Sequence, residues 1–342
     1  MGADNALQVK VVTPTGDFVT ANACQNSDLF WAIRGGGGGT FGVVTEVTMR
    51  AYPSPQTTRL NFVITALADT TLPEFFDVVA EVFSNFPRLK LDGMQGYSYL
   101  SPPGFGGAKL WTLACRFNVY DQPDGTVEAL FSPIEKFLDS RNGSTILYTV
   151  DVEKTPDFFS LWDAHAASDP SALSGGAIGS RLLPASAFED VEKLSLALRE
   201  FANPPPGGPP TQIQGHLVAN SNRRGNDISM NPAWRDAVMH LIVTEFFPDW
   251  YDLEASKPYI NNVGDYRIGQ LRELAPTSGA YFNEADPFEE NWQYEFFNDN
   301  YARLRQIKDA YDPQSVLWCR SCVGSELWEQ GADLSGKLCR AN

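Results

Sequence analysis

Five consecutive glycines, at positions 35–39, separate an amphipathic segment from an alternating one, and they limit the fold more than any other stretch. Inside a helix or strand a glycine is about 0.5–1 kcal/mol less stable than alanine, so the run must end one element and begin another. On its N-terminal side Ser27 can cap a short helix over 28–34, with Leu29, Phe30 and Ile33 on its apolar face. On its C-terminal side Phe41, Val43, Thr45, Val47 and Met49 alternate with Gly42, Val44, Glu46, Thr48 and Arg50, the period of a strand. A helix C-cap followed by a tight crossing accounts for two glycines. Five leave bare backbone on which a flat ligand can lie. The order helix, glycines, strand is the reverse of a phosphate-binding loop, which follows a strand and opens a helix. Neither the Lys-Ser/Thr of a P-loop nor a spaced G-x-G-x-x-G ahead of a helix is present, which excludes both nucleotide motifs.

Elsewhere the chain alternates between strand and helix periods. Residues 7–12 and 18–20 read as a hairpin around a Pro-Thr-Gly turn, and "AYPSP" at 51–55 marks a boundary. Beyond it "LNFVITAL", "AKLWTLACRFNVY", "STILYTVDVE" and "TQIQGHLVAN" are strand-like, and 74–86, 127–137 and 188–201 are helix-like. "NPPPGGPP" at 203–210 reads as a rigid loop, and "NPAWRDAVMHLIVTEFF" as a helix followed by a strand. This rhythm predicts an α+β lobe with a sheet covered by helices. After 278, "GAYFNEADP" reads as a short strand entering a loop. Residues 291–311 read as one helix with Trp292, Phe296, Tyr301, Leu304, Ile307 and Tyr311 on its buried stripe.

Charge narrows the function. With 26 basic against 42 acidic residues the net charge is −16. Such a surface repels nucleic-acid backbones and anionic membranes, so neither is expected as a partner. No apolar run approaches the ~18 residues of a membrane-spanning helix. The N-terminus lacks the basic and apolar regions of a signal peptide, and Ala6 stands where myristoylation needs Ser or Thr. Of the five cysteines, Cys319, Cys322 and Cys339 crowd the C-terminus. Cys319-Arg-Ser-Cys322 has C-x-x-C spacing without a second such pair or a nearby His, which favours a disulfide tying down the tail over a metal site. Asn142-Gly143-Ser144 is a glycosylation sequon, in keeping with secretion.

"SDLFWAIRGGGGGTFGVVTEVT" resembles, almost position for position, a signature of the berberine-bridge-enzyme-like branch of FAD-linked oxidases, within the vanillyl-alcohol-oxidase superfamily. "YFNEAD", "NWQ" and "FFNDNYARLRQIKDAYDP" resemble the same family independently, and "WCRSCVGSELWE" is similar to its fungal secreted members. The resemblance implies an α+β protein with part of a PCMH-type FAD-binding domain over 1–55. A substrate domain with an antiparallel sheet covered by helices would span 56–277, and a C-terminal segment over 278–342 would return to the FAD domain. It implies FAD as cofactor, a small-molecule substrate (an alcohol, sugar or phenolic) and O2 as partner, and an extracellular location for the full-length protein.

 Put plainly, the partners expected are a small molecule and O2, with no nucleic acid and no membrane.

Carried over by motif, the resemblance implies that Gly39 and Val44 contact FAD and that Tyr281, Phe282 and Asn283 lie near its ring system. The position after that Asn is, in several plant members, a tyrosine proposed to deprotonate the substrate; here it is Glu284, which can do the same work if burial raises its pKa. A solvated or salt-bridged loop carboxylate is the alternative, and Asp286 is the nearest rival. Asn300 and Tyr301 match the family's Asn-Tyr pair and would fix the last helix. Trp162, His165, Tyr251 and Tyr259 could line a pocket, with core packing the better reading of each. The segment that in the family carries the covalent flavin anchor has no counterpart here, and none of His165, His216 or His240 matches its context. The expectation is therefore a truncated member that by itself binds FAD weakly or not at all. A non-catalytic small-molecule-binding homologue and a secreted structural protein are the other classes left open.

Overall fold

The computed structural model describes residues 1–165, 176–203, 210–218, 227–246, 253–330 and 337–341. The chain divides into two units, each assembled from separated stretches of sequence. The first comprises residues 1–52, 221–235 and 287–342, and the second residues 53–220 and 236–286. The first boundary falls within the proline-rich stretch expected to hold it. The other two differ from the sequence reading: 221–235 joins the first unit, and 278–286 stays with the second. Specific bonds explain the first of these differences. Arg235 forms a fork on Asp4, Nη1 to Oδ2 at 2.8 Å and Nη2 to Oδ1 at 2.7 Å, Ser229 Oγ donates to Ala32 O, and Asn231 Nδ2 donates to Glu295 O.

In the first unit, strands β1 (Ala6–Val12), β2 (Phe18–Asn22) and β3 (Val43–Met49) form an antiparallel sheet in the order β2-β1-β3. Val9, Val11 and Ala21 are buried, as are Leu29, Phe30, Trp31 and Ala32 of the helix Ser27–Gly36. Ser27 is the first residue of that helix and not its cap. The cap position belongs to Asn26, in left-handed conformation, whose side-chain amide donates to Thr20 O. The long C-terminal helix expected over 291–311 is broken. Helix Trp292–Phe297 stops at Asn298, whose φ of 53° is incompatible with a continuing helix, and helix Tyr301–Tyr311 follows a short 3-10 turn. Cys319 and Cys322 are bonded to each other, so the disulfide closes a local turn and does not tie down the tail; Cys339 is free and exposed.

The second unit is built on seven strands: β4 (Thr57–Ala66), β5 (Gln95–Ser101), β6 (Thr112–Tyr120), β7 (Ile146–Thr155), β8 (Gly176–Pro184), β9 (Ile213–Leu217) and β10 (Ala237–Phe246). They lie in the order β7-β4-β6-β5-β9-β10-β8, every neighbouring pair antiparallel. The fold is α+β, as expected. Strand β5 carries no clear sequence signal, because Tyr97 and Tyr99 point away from the core and only Ser98 and Leu100 are buried. The "AWRD" stretch gives one helical turn, Ala233–Asp236, ahead of β10.

Alternation sorts the sheet's two faces. Leu60, Phe62 and Ile64 of β4, Leu113, Cys115 and Phe117 of β6, and Met239, Leu241 and Val243 of β10 join one apolar core. Helices Leu72–Ser84, Thr126–Arg141, Val191–Ala202 and Ile268–Leu274 contribute Phe76, Val79, Phe131, Ile134, Leu198 and Leu271 to it. Thr71 starts the first of these helices with a complete capping box to Glu74, a device typically worth about 1 kcal/mol. The opposite face carries Tyr97, Tyr99, Gln214, His216 and His240. Of the residues considered for a pocket, Trp162 is exposed and not core, His165 bonds Glu153 at 2.7 Å, and Tyr259 is half-buried. Tyr251 lies outside the described residues, as does most of the loop at 203–210.

Candidate functional site

The glycine run answers to two different demands. A side chain on Gly35 would place Cβ 2.0 Å from the backbone nitrogen of Met230, and one on Gly36 2.5 Å from Leu304 Cδ2. Gly37 has φ +102°, and its Cβ would sit 2.4 Å from Thr40 Oγ1. Packing within the first unit therefore requires three of the five glycines. Gly38 and Gly39 are exposed, and nothing stands within 4 Å of where their Cβ atoms would be. Their backbone is bare toward open space, which is room for a ligand and not a requirement of the protein's own packing. The turn is held from beneath by Lys308, whose buried Nζ donates to Thr40 O at 2.6 Å, Leu317 O at 2.7 Å and Asp312 Oδ2 at 2.6 Å. Asn300 Nδ2 donates to the carbonyls of Ser229 and Met230, against which Gly35 packs. Val44 is half-buried on β3, in register with Val11.

Tyr281, Phe282, Asn283 and Glu284 belong to the second unit. No strand forms there; Phe282–Glu284 is a 3-10 turn closed by Glu284 N donating to Tyr281 O at 2.8 Å. The segment leading into the turn is fastened along β8: Leu182 N donates to Gly279 O, Ser278 Oγ donates to Leu182 O, and the buried Arg181 guanidinium donates to Ala275 O. Asn283 Nδ2 donates to the Tyr281 hydroxyl at 2.8 Å. The Tyr281 ring meets His240 edge-on at 5.7 Å between centroids, and His240 meets His216 at 5.4 Å. Glu284 Oε2 lies 3.6 Å from His240 Nδ1.

Burial sets the protonation of this group. It pushes His240 down to about 3, with the neighbouring His216 adding to the effect, and it lowers His216 as well. Both imidazoles are neutral near pH 7, so the contact with Glu284 is polar and not an ion pair. Burial raises the Glu284 carboxyl above its ordinary value. A half-buried carboxylate with a raised pKa beside a neutral imidazole is a competent proton acceptor. Asp286 sits elsewhere: it is buried against Gly264, where a Cβ would meet its carboxylate at 2.2 Å. The two histidines were legible only as isolated residues, because register alone brings β9 and β10 together. A groove of about 580 Å³ between helices Leu72–Ser84, Thr126–Arg141 and Val191–Ala202 contains none of these residues.

A family model described as "Berberine and berberine like" matches residues 280–323, which include the Tyr281–Glu284 turn. An "FAD-linked oxidoreductase apf9" of Gibberella fujikuroi is 34% identical over 361 residues, covering 100% of this chain and 59% of that relative. Over its whole length this chain is similar to FAD-linked oxidoreductases, and residues 280–323 carry the berberine-type segment. A further relative, "FAD-linked oxidoreductase patO" of Penicillium expansum, is 30% identical, covering 100% of this chain and 57% of its own length. The VAO-type flavoprotein MtVAO713 from Myceliophthora thermophila C1 matches with a TM-score of 0.88 at 26% identity, over 99% of this chain and 60% of that one. The chain thus spans about three-fifths of the relatives it matches. Family members named in this way are FAD-linked, and the bare backbone of Gly38 and Gly39 fits such a cofactor.

Proposed function

We propose that this chain contributes to an FAD-dependent oxidase that oxidises a hydroxyl-bearing small molecule: an alcohol, a sugar or a phenolic secondary metabolite. The observation that carries this reading is the raised Glu284 carboxylate facing a neutral, buried His240 in the turn matched by the family model. By motif, Gly39 and Val44, with the bare backbone of Gly38 beside them, are the first unit's residues that would contact FAD; for the second unit the motif offers Tyr281, Phe282 and Asn283. When bound, FAD supplies the hydride acceptor and passes the electron pair to O2, giving H2O2. Glu284 takes the proton from the substrate hydroxyl as its carbon–hydrogen bond is broken. His240 Nδ1, at 3.6 Å, lies beyond hydrogen-bond reach of the carboxylate and does not compete for the proton, since its own pKa is far lower. An extracellular location belongs to the same proposal, supported by the exposed sequon residue Asn142.

The test is rapid mixing of FAD-loaded protein with alcohols, sugars and phenolics under anaerobic conditions, followed by air and a peroxide assay. Substrate-dependent flavin bleaching followed by peroxide is the expected result. Retained FAD that no substrate class bleaches would overturn the proposal.

A further inference from the structure

The polar sheet face of the second unit continues well past His240. Strand register sets His216 beside His240, Tyr97 beside His216, and Arg116 beside Tyr97. Ring contacts show that these side chains share one face. His216 meets Tyr97 edge-on at 4.2 Å, Tyr97 and Tyr99 lie 6.2 Å apart within 9° of parallel, and the Arg116 guanidinium stands 5.8 Å from the Tyr99 ring centre. Three strand spacings of about 4.8 Å separate His240 from Arg116, so the row is about 14 Å long. Chemistry changes along it, from two neutral imidazoles through an aromatic shelf to a cation.

Arg116 is exposed, and among the described residues no carboxylate pairs with it. Arg235, Arg267 and Arg305, by contrast, are each held by an acidic partner. An exposed guanidinium left unpaired in a chain of net charge −16 is placed to meet an anion from outside. Tyr97, at 44% exposure, offers a ring face for stacking. Gln214 Nε2 lies 3.1 Å from His216 Nε2 and is committed to it.

We propose that Tyr97, Tyr99 and Arg116 form a recognition site for an extended aromatic acid: rings on the tyrosines, carboxylate on Arg116, and the hydroxyl-bearing carbon at Glu284. The site rests on the reading that Glu284 marks where the substrate is oxidised, and it narrows the substrate class to hydroxylated aromatic carboxylates.

Calorimetry with 4′-(hydroxymethyl)biphenyl-4-carboxylate and its carboxamide tests this directly. The carboxylate should bind about tenfold tighter than the amide, the scale of one charge-assisted hydrogen bond. Arg116→Gln should erase that preference, Arg116→Lys should keep part of it, and Tyr97→Leu should weaken both ligands together. Circular dichroism establishes that each variant is folded. Equal affinity of carboxylate and amide for the unaltered protein, or a folded Arg116→Gln that keeps the preference, would overturn the site. Glu284→Gln separates the two proposals. A preserved preference with unchanged flavin reduction leaves the recognition site standing and removes Glu284 from the chemistry.

Discussion

Oε2 of Glu284 and Nδ1 of His240 stand 3.6 Å apart although far from each other in sequence, because β10 and the segment leading to Glu284 are both fastened to β8. One group is a carboxyl held above its usual pKa, the other an imidazole held far below its own, and burial causes both shifts. Near neutral pH the imidazole stays unprotonated, and of the two groups the carboxyl binds a proton more readily.

The rate of flavin reduction should rise as pH climbs through the elevated Glu284 pKa, because only the ionised form accepts a proton. Glu284→Gln should slow reduction by about 10²–10⁴-fold and flatten that acidic limb. Stopped-flow absorbance across a pH series is the measurement, and an unaltered profile in the variant would exclude Glu284 as the base.

His240 should make the fold sensitive to mild acid. Its folded pKa is depressed to about 3 from an ordinary value of 6.5, so its contribution is complete above pH 6.5 and is lost as pH falls toward 3. The loss at pH 4.5 relative to pH 7.5 should be about 2–3 kcal/mol, read from denaturant midpoints. His240→Phe, which cannot be protonated, should shrink the pH difference by that amount.

The glycines should divide by substitution. Gly35→Ala forces Cβ onto the Met230 backbone and should cost about 2–4 kcal/mol. Gly39→Ala meets nothing in the protein and should leave thermal stability within about 0.5 kcal/mol while lowering FAD retention. Paired melting curves and flavin-to-protein absorbance ratios check both; unchanged flavin retention in Gly39→Ala would remove Gly39 from the cofactor contacts.

The Asp4–Arg235 pair should protect the first unit against acid. Arg235 is the main cause holding Asp4 down at about 2, despite the opposing effect of burial. Its stabilisation is present above pH 4 and is lost as pH falls through 2, amounting to about 2 kcal/mol. Asp4→Asn should remove that component from an acid titration followed by circular dichroism, with little further change below pH 2.

Period and punctuation alone were enough for the local elements. The alternation in 57–66 and 112–120, the helical spacing in 126–141, and the prolines near 53 each act over a few residues, so each could be read where it stands. The same locality explains the misreadings. Asn298 breaks a helix that spacing alone would continue, and β5 was hidden because its tyrosines serve the face away from the core. Glu284 could be singled out by motif, but His240 and His216 could not, since nothing in sequence couples 216, 240 and 284. Sheet register and the fastening of 278–280 to β8 decided that cluster. The chain by itself determined an α+β fold and a glycine turn between helix and strand. Tertiary structure decided which glycines packing consumes and which carboxylate sits in a dry enough place to take a proton, because desolvation depends on neighbours that only folding supplies.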